Sequence, residues 1–217
     1  MTNLWKKFFG KVLCNRTNER QADSQKTQVM IVAGLGNPGK AYDGTRHNAG
    51  FDVVDALAKL LGTEIKTAKF GGLLGEARVE DKKLILLKPQ KYMNLSGEVV
   101  ATAAGFYKLA AGNVFIVTDD MSLEAGRIRI RAKGSAGGHN GLTDVILKLG
   151  TDEVARLRIG IGAAEGTIAH DYVLSRPNGQ QRQLLDKAVE RACQAILCWA
   201  KEGVEAAMNK FNIPAAE

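Results

Sequence analysis

The chain has 217 residues, 45% hydrophobic and 24% charged, with a net charge of +7. That is the make-up of one globular domain with a sizeable core, and no apolar run approaches the roughly 20 residues that cross a membrane as a helix. The three cysteines, Cys14, Cys193 and Cys198, form no C-x-x-C or Cys/His pattern, which argues against a disulfide framework and a zinc site and for a reducing, cytoplasmic setting.

The charge is uneven. Residues 1–29 carry Lys6, Lys7, Lys11, Arg16, Arg20 and Lys26 against Glu19 and Asp23, a net +4. Leu4, Trp5, Phe8, Phe9, Val12 and Leu13 recur at helical spacing among the lysines, so a short basic amphipathic helix is expected there. The stretch NRTNERQADSQKTQ that follows is polar with almost nothing to bury and is expected to be disordered. Residues 1–28 therefore read as an extension, first as a plain floppy tail and alternatively as a weak RNA or membrane-surface attachment, and 29–217 as the folded, catalytic domain.

That domain opens with a strand at about 29–33. HNAGFDVVDALAKLLG places Phe51, Val54, Leu57, Ala58 and Leu61 on one helical face, with Gly62 as a stop. LLGEARVE and KLILLKP read as strands around a turn at Asp81–Lys82. A second helix starts near Asn94 or Ser96, and NVFIVTDD is a buried strand ending in two acids. Arg127 to Arg131 alternate strictly, as a strand with one basic face. The glycine-rich GSAGGHNG leads into a third helix, LTDVILKLG. RLRIGIG alternates again, and residues 179–211 form a long helical region with a break at Gly203. Strands and helices mixed in this way predict a single α/β domain, a mixed, mostly parallel twisted sheet flanked by helices.

The stretch GLGNPG, residues 34–39, has the G-x-G-x-x-G spacing of a dinucleotide-binding turn. Such a turn needs a helix at once and an acid about 20 residues on at the end of a second strand. Here Pro38 and KAYDGT intervene, the helix starts some ten residues late, and Asp55 falls inside it. No nicotinamide or flavin cofactor is expected.

Polar residues instead gather where strands end, the usual place for a site in an α/β sheet. Asn37 follows the first strand, and Tyr42, Arg46, His47 and Asn48 precede the first helix. Tyr92, Met93 and Asn94 follow KLILLKP, Asp119 and Asp120 follow FIVT, and His139 and Asn140 lie in the glycine-rich loop. Each has a plainer reading: Asn37 and Asn94 as turn or N-cap residues, the acids as turn caps, His139 as an exposed loop residue, Tyr92 and Met93 as packing. Ser96 and Ser135 are the nearest hydroxyls, and neither sits in a nucleophile elbow. A histidine base, a supporting aspartate and asparagine amides for a carbonyl or oxyanion suit hydrolysis by an activated water.

Taken together, VAGLGNPGKAYDGTRHNAG, KPQKYMNLSGEVV, VTDDMSLEAGRIRIRAKGSAGGHNGLTDVI and RLRIGIG resemble bacterial-type peptidyl-tRNA hydrolase over about residues 29–210. The resemblance implies a monomeric cytoplasmic esterase with no metal or cofactor and no stable protein partner. Its substrate would be peptidyl-tRNA or any N-blocked aminoacyl-tRNA, gripped by the acceptor end, and its task the recycling of tRNA after premature release from ribosomes. Position by position, it implies His47 as the base, Asp119 as its support and Asn37 as the sensor of a blocked amino group. Asn94 and Asn140 would hold substrate and the tRNA end, Tyr42 and Tyr92 would touch the tRNA end, Met93 would line the pocket, and His139 lies in the same binding loop. Arg131 and Lys133 are phosphate contacts by their charge. The run DDMSL departs from the family's usual DDLDL or DELDL, with Ser122 replacing an acid. The basic start and RIRIR leave open an RNA-binding adaptor on the same fold.

Overall fold

The computed structural model describes residues 27–164, 166 and 168–213. The amphipathic helix and disordered stretch expected in residues 1–28 lie outside these, apart from Thr27 and Gln28. Seven strands form one sheet: β1 (Val29–Gly34), β2 (Thr67–Lys69), β3 (Gly72–Val79), β4 (Lys82–Pro89), β5 (Val114–Asp120), β6 (Ile128–Arg131) and β7 (Ala155–Gly160). Their order is β2-β3-β4-β1-β5-β7-β6. The central strands β4, β1, β5 and β7 pair in parallel, while β3 on one side and β6 on the other run antiparallel to their neighbours. The hairpin turn between β3 and β4 is Glu80–Asp81, one residue earlier than the sequence suggested, and Glu80 takes it up with a positive φ of 56°.

Strand alternation divides the core in two. Met30, Val32, Leu84, Leu86, Phe115 and Val117 face helices α1 (Ala49–Leu60), α5 (Gly179–Glu202) and α6 (Val204–Phe211). Ile31, Ala33, Ile85, Leu87, Val114 and Ile116 face α2 (Ser96–Tyr107) and α3 (Asn140–Leu149). The break at Gly203 falls where expected, at a φ of 92° that favours glycine. Two elements escaped the sequence reading: the short exposed β2, and α4 (Ala169–Leu174), six residues with none buried.

GLGNPG now has a structural explanation. A Cβ on Gly34 would lie 2.0 Å from the Gly50 carbonyl oxygen, and one on Gly36 would lie 2.7 Å from the Phe51 ring. These glycines let the start of α1 press onto the first strand and its loop. The loop is built for helix contact, which is why the dinucleotide pattern occurs here without a dinucleotide turn.

Candidate active site

The carboxyl ends of β1, β4 and β5 open into a cavity of about 530 Å³. Asn37, Tyr42, His47, Tyr92, Met93, Asn94, Asp119, His139 and Asn140 all line it, so the folded chain brings these nine residues to one place. Parallel pairing explains this. It puts the ends of β1, β4 and β5 side by side, although they are far apart in the chain.

At the centre is Asp119, 4% exposed. Its Oδ1 lies 2.7 Å from His47 Nδ1 and 3.1 Å from His139 Nε2. The proton positions follow from the partners. His139 caps α3, and its Nδ1 accepts the Leu142 backbone N–H at 3.2 Å, so Nε2 carries the proton and donates to Asp119. Asp119 offers only acceptors, so His47 donates through Nδ1 and keeps the lone pair on Nε2. Burial alone would raise the Asp119 pKa. The pull of the His139 ring and its N–H, and then the N–H of His47, outweigh that penalty and hold the carboxyl well below the usual carboxylate range.

His47, Asp119 and His139 also present three ligand-type atoms within 4.8 Å of one another, the one such group among the described residues. As they stand, protons occupy the short N···O contacts, and a cation there would have to displace both.

Asn37 is neither a turn cap nor a helix cap. Its Oδ1 accepts the Met93 backbone N–H at 2.8 Å, which commits the oxygen and leaves the amide NH₂ as the group to offer the cavity. Asn48 holds the Asn37 backbone from the other side, its Oδ1 accepting from Asn37 N at 2.8 Å and its Nδ2 donating to Asn37 O at 3.0 Å. Met93 is buried, and its Sδ lies against Gly141, where a Cβ would come within 2.5 Å. Asn94 and Asn140 are exposed on the cavity wall, and Tyr92, 61% exposed, stands on its rim. The two acids part ways. Asp120 does cap its turn, accepting from Ser122 N at 2.8 Å, while Asp119 serves the histidines.

Arg131 and Lys133 do not line the cavity. Arg131 is exposed on the edge strand, and Lys133 reaches Glu153 at 3.6 Å. The cation in the cavity wall is Arg158, whose Nε lies 2.8 Å from Asp120 Oδ2. The strict alternation of RLRIG could have flagged it. Arg158 shares a strand face with Arg156, which is buried and donates to the carbonyls of Gly134 and Asp152. Sequence reasoning also missed the α4 wall, which contributes Ala169, His170, Val173 and Leu174.

Comparisons with known proteins point to one family. The family model described as peptidyl-tRNA hydrolase matches residues 31–217. The chain is 50% identical over 184 residues to a peptidyl-tRNA hydrolase from Caldanaerobacter subterraneus subsp. tengcongensis, covering 85% of this chain and 100% of that one. It is 47% identical to one from Clostridium botulinum strain Okra, covering 85% and 97%. A solved peptidyl-tRNA hydrolase from Acinetobacter baumannii superposes with a TM-score of 0.79 at 36% identity, covering 86% of this chain and 95% of that one.

Proposed function

Because the chain belongs to the peptidyl-tRNA hydrolase family, we propose that it cleaves the ester joining a peptide, or an N-blocked amino acid, to the 3′ end of tRNA, with His47 activating water. The observation that carries this reading is the single Asp119 oxygen that accepts from both histidines. It directs the Nδ1 proton of His47 inward and leaves Nε2 able to take a proton from water, while the ionised carboxylate stabilises the imidazolium.

The steps are those of general-base hydrolysis. Water oxygen attacks the ester carbonyl carbon as His47 Nε2 takes its proton. The carbonyl oxygen becomes an oxyanion near the amide donors. The tetrahedral centre then collapses, breaking the bond to the ribose oxygen, which receives the proton from His47. Free tRNA and the peptide acid leave. The NH₂ of Asn37 suits the carbonyl next to a blocked nitrogen, and a free ammonium there would gain no acceptor from it. Asn94, Asn140, Tyr42 and Tyr92 hold the substrate and the tRNA end, and Met93 floors the pocket. Arg158 in the wall, with Arg131 and Lys133 outside it, suits phosphates.

The enzyme works in the cytoplasm as a monomer without a resident metal or cofactor and recycles tRNA after premature release from ribosomes. The cytoplasmic setting fits Cys193 and Cys198, both buried as free thiols.

The test is turnover of N-acetyl-aminoacyl-tRNA against free aminoacyl-tRNA by purified protein. Rapid cleavage of the blocked substrate alone is expected. Binding of tRNA with no turnover of either would favour the RNA-binding adaptor.

A further inference from the structure

Arg46 directly precedes His47 and is buried, yet its side chain donates away from the catalytic loop. Nη1 donates to Ser175 Oγ at 2.6 Å and to the Arg176 carbonyl at 3.0 Å, and Nη2 donates to Gln181 Oε1. The guanidinium stands 4.4 Å from the centre of the Tyr172 ring, and the Arg46 backbone N–H donates to Ser175 O at 3.1 Å. Arg176 Nε returns the link, donating to Asp43 O at 3.0 Å. Tyr172, Ser175 and Arg176 lie in or just after α4, the cavity wall that fully buries no residue of its own, and Gln181 stands in the first turn of α5. Tyr172 and Val173 pack against the core but are only half-buried, and so short a helix also depends on tethers for its placement. The Tyr172 hydroxyl, donating to Ile161 O at 2.7 Å, is the other tether among the described residues.

We infer that Arg46 is a positioning residue for the reaction proposed above: it clamps α4 to the catalytic loop and so holds one wall of the substrate cavity in register with His47. A planar fork reaching three acceptors does this, and a lysine ammonium cannot.

The test uses the full chain and N-acetyl-aminoacyl-tRNA. Arg46→Ala is expected to raise KM between about tenfold and a hundredfold, with kcat and its pH profile little changed, because His47 and Asp119 keep their contacts. Amide exchange across Ala169–Leu174 should quicken. Arg46→Lys should not restore KM, whereas added guanidinium ion should lower it in Arg46→Ala and leave the wild type unaffected. The pair Ser175→Ala with Gln181→Leu, neither lining the cavity, should raise KM in the wild type and add nothing in Arg46→Ala. An unchanged KM in folded Arg46→Ala overturns the inference, as does additivity with the Ser175/Gln181 pair. If Arg46→Ala does not fold, the pair decides alone: a raised KM supports the clamp and an unchanged KM overturns it. A wild-type chain with no turnover would instead defeat the hydrolase reading, and α4 amide exchange in the variants would still read the clamp.

Discussion

His139 donates through Nε2 to the same Asp119 oxygen that receives the His47 proton, because the Leu142 amide already occupies its Nδ1. One helix cap thereby sets the tautomer of one histidine and, through the shared carboxylate, supports the other. Replacing Asp119 by Asn should leave the cavity in place but remove the negative charge that faces two imidazole N–H groups and put an NH₂ donor where a carboxylate oxygen was. We expect kcat to fall by about 10³–10⁴, the scale seen when a triad aspartate loses its charge. His47→Ala should lose about 10²–10⁴ while tRNA binding persists. Single-turnover kinetics and filter binding separate the two effects, and near wild-type turnover in His47→Ala would remove it as the base.

The same carboxylate links the site to acid stability. A carboxyl held below its usual value in the folded state stabilises the fold above the ordinary pKa of about 3.9. That contribution is lost as pH falls from there through the lower folded value. The stability difference between wild type and Asp119→Asn should be level near neutrality and shrink below about pH 4. Urea unfolding at a series of pH values measures it, and a gap that widens in acid would contradict the sign.

Asn37 can be dissected because its oxygen is committed to Met93 N. Asn37→Asp keeps that acceptor and loses the NH₂, so the loop should hold while turnover of the blocked substrate falls by roughly the 3 kcal/mol expected for one lost donor. Asn37→Ala loses both bonds and should also loosen the Met93 loop. Comparing the melting temperatures of the two variants distinguishes recognition from scaffolding.

Gly50 has no space for a side chain. A Cβ would lie 2.5 Å from Leu35 N, Leu35 O and Val117 O, all backbone atoms that cannot rotate aside. Gly50→Ala should cost at least the ~1–3 kcal/mol of ordinary overpacking, read as a lower denaturant midpoint. Gly44→Ala meets no neighbour within 4 Å but sits at a φ of 70°. It should cost about 1–2 kcal/mol through backbone strain alone.

Cys193 offers a probe of opening. Burial first, and Glu190 second, push its thiol up to about 11. Since the thiolate is the reactive form, iodoacetamide at pH 8 should label Cys193 only as fast as the α5 core opens. Labelling at the rate of a free peptide thiol would refute that burial.

Much of this protein was decided locally. The apolar runs VMIVA and NVFIVTDD, the helical spacing from Phe51 to Leu61 and the break at Gly203 each depend on residues close in the chain, and they determined the elements and the α/β class, while four motifs together carried the family resemblance. The polar residues at strand ends could be grouped as candidates, since parallel strands deliver their ends to one side, and the family resemblance then gave them roles. What the tertiary structure alone decided are meetings across long stretches of chain: His139 with Asp119, the Asn37 oxygen with Met93 N, Arg158 in the cavity wall, and Arg46 with residues more than 120 positions away. The α4 wall was missed because six residues, none of them fully buried, are too few to show a helical period. The glycines of GLGNPG were explained only by the tertiary structure, because they answer to Gly50 and Phe51 across a helix–strand contact. Periodicity records which way each side chain points, and only packing settles what it points at.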